Sequence, residues 1–341
     1  MIERNVYFDN AKGILIFCVV FGHIIGENKE GYFLGSIFNA IYSFHMPCFI
    51  FLAGYFSRNI TSHRIIDLYS LIYPFLVFQI LNILFIKFNS IPVPAENILN
   101  PIFQNWFLLA LFIWRLFLPY FKLINMQKSL FITIIVAFYV GSSPEFNVLF
   151  GLHRTFYWMP LFLLGAYSSN LDKQIEVSRK YRYYLAAVFT IAMLSIFIIS
   201  YSNGTAKRLL YFAFTPYSGY GSNLPYLFLR MAGFISSFLI SLVFLSLVPK
   251  GKTLFSVFGK HSLSIFLMHM FIIWLVLKYI PQNEYAYLLC ALIISFTVCV
   301  LLSGKYVNII LSPLLSYQNL KDSYNEINKK LDGLIEYRKK S

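Results

Sequence analysis

Three residues in the first apolar segment are spaced so that they could do chemistry together: Lys12, His23 and Glu27. On an α-helix the step from Lys12 to His23 is about 1100° of rotation, three turns plus some 20°. Both side chains therefore share a face and lie about 16 Å apart along the axis. Glu27 follows one turn beyond His23, at the i+4 spacing that lets side chains meet. A substrate of matching length is a coenzyme A thioester, with anionic phosphates at one end and the acyl group at the tip of a long arm. Lys12 would hold phosphate at the mouth. His23 would act as general base on an acceptor hydroxyl, or be acylated itself, with Glu27 orienting the imidazole. The plainer alternative makes Lys12 a topology anchor and His23 an interfacial histidine that snorkels. Asp9 pairs with Lys12 at i+3. It lies about 21 Å below His23 on an ideal helix, too far to be its direct partner.

Ionisable groups inside apolar segments are expensive and are functional candidates for that reason. His45, Arg115, Arg230 and His269 are of this kind. Asp9, His45, Arg115, Arg154 and His269 form a set of substrate contacts or structural supports around the Lys12–His23 stripe. His45 lies in Phe44-His45-Met46-Pro47, where proline is expected to kink the helix and free backbone carbonyls. His45 then either bonds such a carbonyl or meets substrate. His269 shares a helix face with Ser262. The chain has no Gly-x-Ser-x-Gly, His-Glu-x-x-His, Walker or Cys-x-x-Cys motif,. Its histidines never pair at i,i+4, which argues against a helical metal site. The four cysteines fall in apolar stretches without paired spacing and read as small core residues rather than disulfides or ligands.

The elements that must position these groups are membrane helices. Hydrophobic residues make up 58% of the chain and charged residues 12%, against about 25% charged in soluble domains. Mean hydropathy is +0.66. The net charge of +14 is read as topology-setting loop charge rather than a nucleic-acid surface. Apolar segments near 11–26, 33–56, 65–87, 106–121, 129–142, 156–170, 183–201, 225–248, 262–280 and 286–304 predict an all-α polytopic protein of about ten transmembrane helices, the fourth and fifth being short. With the N-terminus inside, cytoplasmic segments hold roughly twenty Lys and Arg and external loops about six, so both termini are expected in the cytoplasm. The first segment lacks a small-x-small cleavage site and is expected to be retained. Residues 1–316 form the membrane domain. Residues 317–341 form a polar cytoplasmic tail, in which Leu320, Tyr324, Ile327, Leu331 and Leu334 recur at helical spacing,.

Several stretches resemble a known family. Phe8-Asp9-Asn10-Ala11-Lys12-Gly13 running to Val19-Val20-Phe21-Gly22-His23, and Phe44-His45-Met46-Pro47 through Ala53-Gly54-Tyr55, are similar to the opening motifs of the acyltransferase family 3 membrane proteins. Lys12 fills a position more often held by arginine. Weaker similarity continues in Trp106 to Leu111, in Pro160 to Gly165, and from Gly259 to His269. Within the family the chain looks most like the fucose 4-O-acetylase-like proteins. The resemblance implies a ten-helix domain that moves an acyl group, usually acetyl, from cytoplasmic acyl-CoA to a hydroxyl of a surface glycan or its lipid-linked precursor. It implies no permanently bound cofactor, a catalytic role for His23 and a donor-binding role for Lys12. The family's closely spaced arginines after the second helix correspond to Arg58 and Arg64, which stand further apart here. The expected setting is a bacterial plasma (inner) membrane, with a homodimer permitted by the tail helix. The rival readings are a transporter or flippase for a glycan or acyl intermediate, and a non-catalytic scaffold.

Overall fold

The computed structural model describes residues 5–28, 31–60, 65–91, 100–142, 151–169, 171, 175, 176, 179–203 and 224–325, and no strand occurs among them. The helices are α1 (Val6–Gly26), α2 (Tyr32–Tyr42), α3 (His45–Ser57), α4 (Ile65–Phe88), α5 (Trp106–Phe121), α6 (Met126–Ser142), α7 (Leu152–Tyr167), α8 (Arg182–Asn203), α9 (Leu224–Leu247), α10 (Leu254–Lys260), α11 (Ser262–Val276), α12 (Glu284–Ser303) and α13 (Lys305–Leu315). Among the described residues, seven helices are long and apolar enough to cross a membrane, with Tyr32–Ser57 counted as one. The protein is thus a multi-pass membrane protein. The segments expected as the fourth, fifth and sixth crossings are α5, α6 and α7, of 16, 17 and 16 residues, shorter than the roughly 20 residues a perpendicular span requires.

Local chemistry explains where the helices begin and break. Asn5 caps α1, its side-chain oxygen accepting the Tyr7 N–H at 2.9 Å, and Asp9 sits in the first turn, where the helix dipole favours an acid. Asn283 caps α12 in the same way through Tyr285 and Ala286. The kink expected at Pro47 is a full break, placed between α2 and α3 at Ser43–Phe44. Pro47 lies in the first turn of α3, where its missing N–H removes no intrahelical bond.

α1 is the central element, buried from Tyr7 to Ile25 on most of its surface and packed against α2, α3, α10, α11 and α12. Backbone-to-backbone contact at glycines sets two of the pairings. A Cβ added to Gly13 would overlap the Phe255 carbonyl, and one on Gly259 would overlap the Asp9 carbonyl, so α1 and α10 touch at both. Gly54 and Gly165 join α3 to α7 through the Phe162 and Phe51 carbonyls. Small residues let helices approach this closely in lipid, where packing rather than hydrophobicity drives association. Asn10 adds a polar staple. Its amide donates to the Pro249 and Gly251 carbonyls at 2.9 and 2.7 Å, and its oxygen accepts from Thr253 at 2.6 Å.

In the C-terminal tail, residues 317–325 are helical, with Leu320 and Tyr324 exposed. Ile327, Leu331 and Leu334 lie outside the described residues.

Candidate active site

Polar side chains collect at two levels of the bundle, one near each end of α1. At its N-terminal end Lys12 forms an ion pair with Asp9 at 2.9 Å, as the i+3 spacing predicts, and lies 5.7 Å from the centre of the Phe56 ring. α3 returns to this level, because Phe8 packs on Tyr55 and Phe56. Arg58, the C-cap of α3, folds back over the Tyr55 ring at 4.0 Å and donates to the Tyr55 carbonyl at 2.9 Å. Its own carbonyl accepts from Lys122. Arg115 donates to the Ser57 hydroxyl at 3.0 Å. Lys12, Arg58 and Arg115 therefore belong to one cationic end. Arg64 lies outside the described residues.

The second level surrounds His23. The His269 ring of α11 lies against it, with centroids 5.2 Å apart. Arg154, in the first turn of α7, acts electrostatically on both His23 and Tyr42, and its guanidinium sits 5.5 Å from the Trp106 ring. His45, the first residue of α3, is within electrostatic reach of His23 and packs edge-on against Tyr42 at 4.4 Å. Gly22 makes room for that tyrosine, since a Cβ there would meet the Tyr42 ring at 2.9 Å. Among the described residues no group of His, Cys, Asp and Glu side chains could hold a metal ion.

Two of these histidines are fixed by the same device. His45 Nδ1 lies 2.9 Å from the Ile41 carbonyl oxygen, and His269 Nδ1 lies 3.0 Å from that of Ile265, each one turn back along the chain. A carbonyl oxygen can only accept, so each Nδ1 carries hydrogen and each neutral ring presents Nε2 as an acceptor. His45 thus makes the carbonyl bond that was one of its two expected roles, and keeps a second nitrogen for the other.

Beyond His23 the bundle opens into a cavity of about 620 Å³ lined by Glu27, Asn28, Trp274, Lys278, Glu284 and Tyr287, among others. Glu27 sits here, acting on Tyr42 and Tyr287. The lining mixes aromatic faces with hydrogen-bonding groups of both signs.

Sequence reasoning did not find Tyr42, His153 or the cavity-lining Trp274. His153 neighbours Arg154 and is influenced by both Arg154 and Arg230; the adjacent His-Arg pair at the start of an apolar segment was the available signal. Arg230 is itself buried, with its guanidinium 4.5 Å from the Tyr157 ring. Tyr42 and Trp274 carry no such signal, because aromatic residues make up 19% of the chain.

The nodulation protein NolL of Sinorhizobium fredii (strain NBRC 101917 / NGR234) is 43% identical over 61 residues, covering 17% of this chain and 17% of the relative. The NolL protein of Mesorhizobium japonicum (strain LMG 29417 / CECT 9101 / MAFF 303099) is 41% identical over 61 residues, covering 17% and 16%. The chain thus spans about a sixth of the length of these curated relatives. No solved structure matches it. The acyltransferase domain of family 3 matches residues 5–304, taking in both polar levels of the bundle, and the chain belongs to that acyltransferase family.

Proposed function

We propose that the protein is a membrane O-acyltransferase that moves an acyl group, in the simplest case acetyl, from cytoplasmic acyl-CoA to a sugar hydroxyl of a surface polysaccharide or its lipid-linked precursor. In this reading it sits in a bacterial plasma membrane with both termini inside. The observation that carries it is the pair of polar levels on α1 in an acyltransferase-family chain. One is cationic, with Lys12 and Arg58; the other has His23 against His269 and within electrostatic reach of Arg154. The helix separates them by about 16 Å.

Lys12 and Arg58 hold the donor phosphates, leaving the thioester arm to reach His23. The acceptor enters through the cavity at Glu27 and Tyr287, whose aromatic and polar lining suits a hydroxyl-rich ligand,. His23 takes the proton of the acceptor hydroxyl as its oxygen attacks the thioester carbonyl carbon. The guanidinium of Arg154 stabilises the oxyanion that forms. Collapse breaks the carbon–sulfur bond, and the leaving thiolate takes the proton back from His23. The products are an O-acyl sugar and coenzyme A, with His23 restored. The resemblance to fucose 4-O-acetylase-like proteins supports a sugar as acceptor.

The test is incubation of purified protein and its His23→Ala variant with radiolabelled acetyl-CoA and a membrane glycan extract. His23-dependent transfer of label to glycan is expected. Absence of both transfer and coenzyme A binding in folded protein would overturn the reading in favour of a transporter.

A further inference from the structure

His269 is fully buried at 0% exposure. Its Nδ1–H is committed to the Ile265 carbonyl at 3.0 Å, while no group among the described residues hydrogen-bonds to its Nε2. Buried polar atoms in native proteins nearly always have a partner, and an exception calls for a role. The neighbour of this one is His23. Ring centroids 5.2 Å apart leave one nitrogen of each ring able to approach to about 3 Å, the length of a hydrogen bond. The rings stand tilted by 44°, and a rotation of His23 about its side-chain bonds would make that bond.

A general base of this kind needs one imidazole nitrogen with a free lone pair, and so must carry its hydrogen on the other. That other N–H needs an acceptor to hold the ring in the productive tautomer. Carboxylates commonly fill this place. Here Glu27, the carboxylate nearest in sequence, lines the cavity wall, and it acts on Tyr42 and Tyr287.

We propose that His269 is the positioning residue for His23: its Nε2 accepts the N–H of His23, so that the opposite nitrogen of His23 faces the acceptor hydroxyl. This rests on the reading of His23 as general base. No proton passes to His269. When His23 takes the hydroxyl proton, the bond to Nε2 becomes charge-assisted and steadies the imidazolium; it relaxes again when the proton goes to the leaving thiolate. The Ile265 carbonyl is what keeps His269 in the accepting tautomer, so the backbone of α11 supplies the orientation.

The proposal separates from a structural role by substitution in the full-length protein. In His269→Phe, kcat is expected to fall about 100-fold with both KM values nearly unchanged. His269→Gln, whose amide oxygen can accept, is expected to recover at least a tenth of wild-type kcat. In the His23→Ala background, His269→Phe is expected to cause no further loss, because residues acting as a unit are non-additive. A readout that needs no acceptor is carbethoxylation of His23 by diethyl pyrocarbonate, followed by mass spectrometry. The rate is expected to drop several-fold in His269→Phe and to stay near wild type in His269→Gln. Wild-type-like kcat and labelling in His269→Phe, with His23→Ala inactive, would overturn the proposal while leaving the acyltransferase reading intact. Acyl transfer retained in His23→Ala would overturn both the proposal and the reading of His23 as general base.

Discussion

At the scale of single residues, the proposed mechanism divides the work between the two ends of α1 in a way that kinetics can separate. Lys12 is ion-paired to the buried Asp9 at 2.9 Å and is itself partly exposed, so its ammonium can take a phosphate on its open side while keeping the carboxylate as partner. A charge-assisted contact is worth about 1.5–3 kcal/mol. Lys12→Ala is therefore expected to raise the donor KM about 10-fold with a smaller change in kcat; a fall in kcat alone would show that Lys12 does not anchor the donor. In the proposed mechanism Arg154 acts where charge develops. Arg154→Met is expected to lower kcat about 100-fold or more, the usual loss for one oxyanion donor, with the donor KM little changed. Steady-state kinetics with varied acyl-CoA reads both. The positions and types of Lys12, His23 and Asp9 are legible in sequence because helical geometry alone puts them on one face. Arg154 and His269 are visible only as isolated ionisable residues, since nothing local says that α7 and α11 carry them to His23.

At the scale of elements, the family-like motifs divide into site and scaffold. Gly13, Gly54, Gly165 and Gly259 all fall within them, and each is a point where two helix backbones touch. Overpacking such a contact costs about 1–3 kcal/mol or more. Gly54→Leu is expected to lower the thermal midpoint of detergent-solubilised protein, or to abolish its folded expression. Gly251→Leu is expected to do neither, because nothing lies within 4 Å of the added Cβ. Fluorescence-detected size-exclusion chromatography after heating distinguishes the two. Hydropathy made the long helices legible, but the short α10 (Leu254–Lys260) and α13 (Lys305–Leu315) have no counterpart among the expected segments. The break at Ser43–Phe44 was displaced from the expected proline because Pro47 constrains the turn before it, which it cannot join by hydrogen bonding, rather than its own position.

At the scale of the whole molecule, the open quantity is the number of crossings. Among the described residues seven helices reach spanning length, and the ten expected include α5, α6 and α7, which are shorter. The distribution of Lys and Arg favours an even number with both ends inside. A phosphatase reporter fused after Ser341 is expected to be inactive, and a green fluorescent reporter at the same place fluorescent. The reverse pattern would move the tail to the outside and, with the N-terminus inside, would require an odd number of crossings.

The sequence by itself determined the membrane class, the helical content, the shared face of Lys12 and His23 and, through its motifs, the family. These follow from composition and short-range periodicity, which the bilayer and the α-helix dictate residue by residue. Tertiary structure alone decided that His269 lies against His23, that Arg154 comes within electrostatic reach of it, and that a cavity opens near Glu27. Those relations join helices from distant parts of the chain. They depend on where glycines let backbones touch and on which ring faces which, and neither leaves a periodic trace in the order of residues.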